Sequence, residues 1–493
     1  MDKPFKAIQV TDNVYWVGAI DWGIRDFHGY LTERGTTYNA FLVMADKITL
    51  IDTVKPPFRS ELLARIGSVV DPKEIDYVVS NHAEMDHSGS LVDVIDVVQP
   101  EKVFASSMGS KALKEHFHLD REIVAVKNGE SLSLGNLSLT FLETRMLHWP
   151  DNMFSYLPEE KLLFSQDAFG MHLATSERFA DEIDESILEY EGEKYYANIL
   201  LPFSALVTKL LDKVGELGIE IDIIACDHGP IWRKDLDRII GWYSKWAQQK
   251  PTNKAVVVFD TMWFSTAKMA EAIAEGLLAG GAQPKLMPLK SNHRSNVATE
   301  ILEAGAMVVG SPTLNNNMYP TVADLLVYLK GLKPKNLVGA AFGSYGWSGE
   351  AVGQVRGMLE EMKIDLVDEG LRIKFVPDGD SLSALTSDFG SQKRSKACVS
   401  PHSVGRKFSV IGIKKEEVKA CKILGNARSV GIHWRPMHHR KRVQLAMRSA
   451  SSSTLPVTYP TVAIQEVIRD LDPNALKRGN SKFENDHLLY SVL

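Results

Sequence analysis

Six consecutive residues, His82-Ala83-Glu84-Met85-Asp86-His87, place two imidazoles and two carboxylates directly after the apolar run Ile75-Asp76-Tyr77-Val78-Val79. A strand feeding into His-x-Glu-x-Asp-His sets four metal-competent side chains on one loop. Packing alone asks for no such arrangement, and an acid-rich loop by itself reads as solvated surface. Here the partners such a loop would need recur at the mouths of other apolar runs. His148 follows residues 139–147, Asp167 follows Leu162-Leu163-Phe164, and His228 follows residues 221–225. The set is four histidines and three carboxylates, enough for two metals with one carboxylate shared.

The ligand types narrow the metal. Mixed imidazole and carboxylate sets with open positions suit iron or manganese, whereas histidine or histidine-thiolate sets favour zinc. Glu84 stands where a zinc hydrolase with this loop pattern would place a third histidine, and a hard carboxylate there favours a ferric ion. The elements that must position these groups are short. Residues 14–17, 40–44, 48–51 and 77–80 read as strands and residues 61–70 and 90–98 as helices. Ligands on loops at strand ends fit an αβ/βα sandwich with its site at one edge of two facing sheets.

A second rhythm begins after the polar linker Gln249-Lys250-Pro251-Thr252-Asn253. Residues 254–260 form a near-continuous apolar strand, the pattern of a parallel strand covered on both faces. It leads through Thr261-Met262-Trp263-Phe264-Ser265-Thr266 into an amphipathic helix over 267–278. Hydroxyls in such a turn bond phosphate oxygens, with the helix N-terminus adding N–H donors, although Ser and Thr cap ordinary helices equally well. Two further apolar strands, 306–310 and 337–341, end in Ser311-Pro312-Thr313-Leu314-Asn315-Asn316-Asn317 and Phe342-Gly343-Ser344-Tyr345-Gly346-Trp347-Ser348-Gly349. Three parallel strands with such C-terminal loops form the crevice in which doubly wound sheets bind ligands. Trp263, Tyr345 and Trp347 could cover an isoalloxazine ring, and the glycines let backbone N–H groups approach it.

The metal set resembles that of the flavodiiron proteins (A-type flavoproteins), as do Phe27-His28-Gly29-Tyr30, Thr37-Tyr38-Asn39-Ala40 and Leu50-Ile51-Asp52-Thr53. The resemblance covers roughly residues 1–385 and fills all seven ligand positions. It implies a metallo-β-lactamase-like domain over 1–250 and a flavodoxin-like domain over 251–390. His82, Glu84 and His148 would hold one iron, Asp86, His87 and His228 the other, and Asp167 would bridge. His28 and Tyr196 fall where the family places groups near the open face of the metals. FMN would be held by Thr261, Met262, Trp263, Ser265 and Thr266, by Pro312, Thr313, Asn315 and Asn316, and by Ser344, Tyr345, Gly346 and Trp347. Phe264 departs from the family pattern, at a position more often small or polar.

The 493 residues, 44% of them hydrophobic, can bury more than one core. No run of eighteen apolar residues argues for a membrane span, and the start Met1-Asp2-Lys3-Pro4-Phe5-Lys6 lacks a signal segment. Three dispersed cysteines fit a reducing cytoplasm rather than a disulfide framework, and they are too few for a built-in rubredoxin. Cys226 reads as a buried strand residue. Past residue 390 the resemblance stops, and Ser381-Leu382-Ser383-Ala384-Leu385-Thr386 stands where a long closing helix is expected. Residues 391–493 carry 19 Lys and Arg against 7 Asp and Glu, a net of +12, while the preceding 390 sum to −18. A basic, Ser-rich tail of this kind reads as disordered or loosely packed. A folded third domain and a fused or frameshifted reading frame are the alternatives. No aromatic-studded groove or module argues for nucleic-acid binding. A short helix over 415–425 is the candidate substitute for the closing one.

The resemblance implies reduction of a small gas, O2 to water or NO to N2O, with electrons from an external donor such as rubredoxin. It also implies a head-to-tail homodimer or a dimer of dimers. One rival is a dinuclear hydrolase with an appended flavodoxin-like module, against which Glu84 and the full set of flavin loops speak. The other is a pure electron carrier with an inert metal domain, against which the seven ligand positions speak.

Overall fold

The computed structural model describes residues 5–391. Its first lobe stacks two mixed sheets. One runs Ile8–Gln9, Val14–Trp16, Phe41–Val43, Thr49–Ile51, Tyr77–Ser80, Lys102–Ser106 and Val124–Val126 from edge to edge. Its pairing switches from antiparallel to parallel at Thr49–Ile51. The other runs Ser131–Ser133, Ser138–Glu143, Met153–Leu157, Leu162–Gln166 and Ile223–Cys226, with only the last pair parallel.

The period-two pattern explains the stacking. In Ser138–Glu143, Leu139 and Phe141 are buried while Ser138 and Thr140 are partly exposed. Leu139, Phe141, Met153, Leu157 and Phe164 meet Trp16, Phe41, Ile51, Val79 and Phe104 from the facing sheet. On the outer face, Leu62 and Ile66 of the Arg59–Ile66 helix pack with Leu91, Val94 and Ile95 of Leu91–Val98. Truncating one such buried Leu or Ile to Ala costs about 2–5 kcal/mol. The first of these helices stops at Ile66, short of the expected residue 70, because Gly67 takes the cap position and opens a turn over residues 67–69.

The second lobe is an open parallel sheet in the order Gln283–Pro288, Lys254–Phe259, Ala306–Gly310, Val338–Tyr345, then a split last strand. Asp365–Leu366 pairs with the start of Val338–Tyr345, and Leu371–Lys374 pairs with its end. With the strands numbered along the chain this is 2-1-3-4-5, the flavodoxin-like order, whose switch point lies beside the first strand. Val256, Val257 and Val258 are fully buried, as expected for a strand covered on both faces.

The closing helix is present, which corrects the sequence reading. Gly379–Ser391 is helical and lies along Ser265–Gly280. Leu385 and Phe389 are buried with Ile273 and Leu277. The backbones come so close that a Cβ on Gly276 would meet the Thr386 carbonyl oxygen at 2.5 Å. The proposed substitute helix over 415–425 and the rest of the basic tail lie outside the described residues.

The stretch expected as a polar linker also differs, because Gln249 is buried. Its side-chain oxygen accepts from the Lys335 N–H at 2.9 Å, and its backbone carbonyl accepts from Asn336 Nδ2 at 3.0 Å. The lobes share one continuous apolar cluster. Tyr195, Tyr196, Leu200 and Trp246 from the first pack in it with Val297, Ile301, Leu325 and Leu329 from the second. Among the described residues, no helix is long and apolar enough to cross a membrane.

Candidate functional site

The strand Tyr77–Ser80 delivers the motif, and Asn81 anchors it. Its backbone N–H and Nδ2 donate to the two oxygens of Asp52, at 2.7 and 2.9 Å. Asp52, singled out in the sequence at a strand end, therefore braces the loop. Glu84 then starts the single turn Met85–Ser88, and Ser88 Oγ donates back to the Ala83 carbonyl at 2.7 Å. This turn swings Asp86 and His87 to the same side as His82 and Glu84.

The seven predicted metal residues converge. Glu84 Oε2 lies 3.3 Å from Nε2 of both His82 and His148. Asp86 stands between His87 and His228, its oxygens 3.4 and 3.3 Å from their Nε2 atoms. Asp167 divides its carboxylate between the groups. Oδ2 faces Nε2 of His148 at 2.9 Å and of His82 at 3.3 Å, while Oδ1 faces His87 at 3.3 Å and His228 at 3.4 Å. All four Nε2 atoms thus point inward at carboxylates, and behind them the Nδ1 atoms of His82 and His228 are hydrogen-bonded while that of His87 only faces a carboxylate. Asp151 stands 3.0 Å from His82 Nδ1, Asp227 3.5 Å from His87 Nδ1, and the Thr37 carbonyl 2.6 Å from His228 Nδ1. Outer partners of this kind fix the tautomer and orientation of ligating imidazoles.

Three buried carboxylates facing one another demand positive charge. Burial pulls the His87 imidazole down, yet Asp86, Asp167 and Asp227 outweigh it and raise it to about 10. His148 rises to about 9, where Asp167 and Glu84 likewise overcome burial. Buried Asp86 Oδ1 and Oδ2, Asp167 Oδ1 and His87 Nε2 have no hydrogen-bond partner. Unspent acceptors around a shared carboxylate, with imidazoles whose protons a bound cation would displace, are the donor set two divalent or trivalent cations require, so the residues fit a dinuclear centre.

His28 stands at the mouth with its side chain 74% exposed, Nε2 3.3 Å from Glu84 Oε1. Tyr196 does not face the metal residues. Its hydroxyl lies 3.2 Å from Ser204 Oγ, and its ring packs on Tyr243 and Trp246. The neighbouring Tyr195 takes that place, with ring centroids 5.1 Å from His172 and 6.1 Å from His228. His172 itself escaped sequence reasoning. It is fully buried, 4.7 Å from the His228 ring, with Nδ1 2.8 Å from Thr36 Oγ1. Burial and then His228 push its imidazole well down, so it stays neutral. A lone histidine in Met171-His172-Leu173 carries no signal that separates it from a core residue. Asp151 and Asp227 were equally unremarkable acids in loops.

At the flavodoxin lobe the three expected loops meet at the C-terminal strand ends. Thr266 Oγ1 and Ser344 Oγ lie 2.9 Å apart and tie the first loop to the third. Asp260 accepts from the Thr261 N–H at 2.7 Å and from Thr321 Oγ1 at 2.6 Å, while the buried Thr261 hydroxyl has no partner. Asn315 and Asn316 both take positive φ, 49° and 61°, between the paired segments Thr313–Leu314 and Asn317–Met318. Pro312 is buried behind them, and Met262 and Gly346 are half-buried at the crevice edge. Trp263 and Trp347 are 86% and 87% exposed, and Tyr345 packs against Gly349. Phe375, whose N–H donates to the Tyr345 carbonyl at 2.7 Å, adds a further exposed ring that the sequence reading omitted. An unpartnered Thr261 hydroxyl just before a helix N-terminus, beside two uncovered indoles, fits a phosphorylated planar cofactor.

Comparison with known proteins agrees with this geometry. A family model described as ODP family beta lactamase matches residues 36–229, and one described as Flavodoxin matches 257–386. Over 381 residues the chain is 49% identical to the nitric oxide reductase of Moorella thermoacetica, covering 76% of this chain and 96% of that protein. It is 48% identical over 376 residues to the rubredoxin-oxygen oxidoreductase of Megalodesulfovibrio gigas, covering 76% and 94%. The solved flavodiiron protein of Giardia intestinalis is 36% identical, with a TM-score of 0.76, covering 79% of this chain and 96% of that one. The chain belongs to the flavodiiron protein family. As a flavodiiron protein it combines a metallo-β-lactamase-like lobe with a flavodoxin lobe.

Proposed function

We propose that this flavodiiron protein reduces O2 to water, NO to N2O, or both, with electrons from an external rubredoxin-type donor. The metal lobe spans residues 1–250 and the flavin lobe 251–390. The observation that carries the reading is Asp167, whose two oxygens serve the two histidine groups separately, on a chain that also holds a flavodoxin crevice. Relatives named nitric oxide reductase and rubredoxin-oxygen oxidoreductase support it.

His82, Glu84 and His148 would hold one iron, Asp86, His87 and His228 the other, with Asp167 shared; the crevice loops would hold FMN. When bound, the irons supply gas binding and electron transfer, and FMN supplies electrons. The chain's own part is arrangement and exclusion. Asp151 and the Thr37 carbonyl orient His82 and His228. Phe27, Tyr195 and the neutral His172 wall the His228 side against water. His28 sets an imidazole Nε2 3.3 Å from the outer oxygen of Glu84. A head-to-tail homodimer in the cytoplasm belongs to the same proposal. Exposed Trp263 and Trp347 at the crevice and exposed Met85 beside the ligands are surfaces a second copy would cover.

Metal analysis with an optical spectrum tests it. The expectation is about two irons and one FMN per chain, and consumption of NO or O2 by the reduced protein. Asp167→Ala should lose both irons together. Zinc as the native metal without flavin absorbance, or a full dinuclear site in that variant, overturns the assignment.

A further inference from the structure

A small hairpin, Asp26–Phe27 paired with Tyr30–Leu31, lies over the metal residues. Its turn is His28-Gly29, both at positive φ, 54° and 80°, which suits a two-residue turn between twisted strands. From this tip His28 Nε2 reaches Glu84 Oε1, while the Phe27 ring sits 4.9 Å from His172 and 6.3 Å from His228. Two-residue strands have no stability of their own, so the order of the hairpin comes from what touches it.

Besides these first-lobe groups, the flavodoxin lobe touches it. Arg294 Nε donates to the Gly29 carbonyl at 3.2 Å, and the Leu31 N–H donates to Ser295 Oγ at 3.2 Å, across 265 and 264 residues of chain. Both residues open the helix Arg294–Leu302. Arg294 is itself fixed, because Nη1 donates to the two oxygens of Asp324 at 2.7 and 2.9 Å and the guanidinium lies over Tyr328. Gly29 itself, at positive φ, lies directly against the Arg294 guanidinium. The same helix start grips the far side of the centre. The Ser295 carbonyl accepts from Asn198 Nδ2 at 3.2 Å, and Asn198 Oδ1 accepts from the Tyr328 hydroxyl at 2.7 Å. Asn198 lies in the π-helical turn Tyr196–Leu200 that follows Tyr195.

We infer that Arg294 is a positioning residue for the metal centre: from the flavodoxin lobe it holds the hairpin tip so that His28 meets Glu84. The inference rests on the reading of the seven residues as the gas-reducing centre. A merely structural latch between lobes would hold the lobes together yet leave the hairpin tip unchanged when removed.

The test uses the holoprotein with Arg294→Ala, Arg294→Lys, His28→Ala and the Arg294→Ala/His28→Ala double variant. Amide exchange over residues 26–31, iron and FMN content, kcat and the donor KM are read on each. Arg294→Ala should keep its iron and FMN and exchange about tenfold faster over 26–31, as expected for a locally released segment. Its kcat should fall as far as in His28→Ala at unchanged donor KM, with no further loss in the double variant. Arg294→Lys should recover part of both, since an ammonium reaches the carbonyl without the two-oxygen hold on Asp324. Wild-type exchange at 26–31 in Arg294→Ala, or losses that multiply in the double variant, would overturn the inference. If Arg294→Ala does not fold, Ser295→Ala carries the test: faster exchange at 26–31 with full iron supports the inference, and unchanged exchange refutes it. A wild type without iron would instead sink the functional reading beneath it, and the metal analysis shows which has failed.

Discussion

Asp151 offers the sharpest single test of how the metal residues are held. Its Oδ2 lies 3.0 Å from His82 Nδ1 and accepts from the Ala83 N–H at 2.6 Å, and its carbonyl accepts from Ser106 Oγ at 2.6 Å. The side chain is buried, so water replaces none of these contacts. Asp151→Asn keeps the shape and removes one acceptor. If the amide oxygen takes the place of Oδ2, both contacts survive on a neutral, weaker acceptor. If the NH2 takes that place, the Ala83 N–H loses its acceptor and the amide donates to His82 Nδ1, driving the imidazole proton onto Nε2, the atom that faces Glu84 and Asp167. Loss of such an outer partner weakens metal binding about 10- to 100-fold, or about 1.4–2.7 kcal/mol. Asp151→Ala leaves both donors bare and adds about 1–3 kcal/mol for each buried unsatisfied group. The effect is one-sided, because His228 rests on the Thr37 carbonyl and His87 Nδ1 faces Asp227 at 3.5 Å, so neither depends on Asp151. Graded chelator dialysis followed by iron counting and Mössbauer spectroscopy reads it. The expected outcome is Asp151→Asn protein that sheds the His82-side iron first. A wild-type chelator midpoint, or loss confined to the His228 side, refutes the reasoning.

Two further outcomes follow from particular side chains. Glu84→His replaces a hard carboxylate and removes the partner of His28, so the protein should fold, take up zinc in preference to iron and lose gas reduction; normal iron content and turnover in that variant would contradict the reading of Glu84. Glu191 is raised to about 7, chiefly by burial, with Lys194 and Arg34 opposing. Its folded form therefore holds a proton that the unfolded chain releases near 4.5, so its stabilising share is complete below that value and is lost as pH rises through 7. Glu191→Gln should gain on the wild type between pH 4.5 and 7 and level off above, by at most about 3 kcal/mol at about 1.4 kcal/mol per pH unit. A flat difference in urea midpoints across that range would exclude the shift.

The metal residues were legible because chemistry restricts their types and because four of the seven are adjacent in the chain. The flavin loops were legible because parallel strands place their C-terminal loops at one edge. The closing helix was not. Its Ser383, Thr386 and Ser387 read as loop formers, yet their hydroxyls bond back to the carbonyls of Gly379, Leu382 and Ser383 at 2.8, 3.1 and 2.9 Å. Leu382, Leu385 and Phe389 meanwhile supply the helical spacing that packs it down.

The two tyrosines mark a different limit. Tyr195 ends the helix Glu185–Tyr195, and Tyr196 begins a π-helical turn, so adjacent residues with one side chain type diverge. Successive helical side chains point about 100° apart. One ring therefore faces His172 and His228 and the other Tyr243 and Trp246. Nothing in the local sequence says which is which, because the choice is made by a histidine 23 residues upstream and by Asn198, which the turn directs at the flavodoxin helix. The groups around the metals are thus set by contacts between lobes. Substitutions at Ser295, Tyr328 or Arg294 can for that reason alter the centre without touching a ligand.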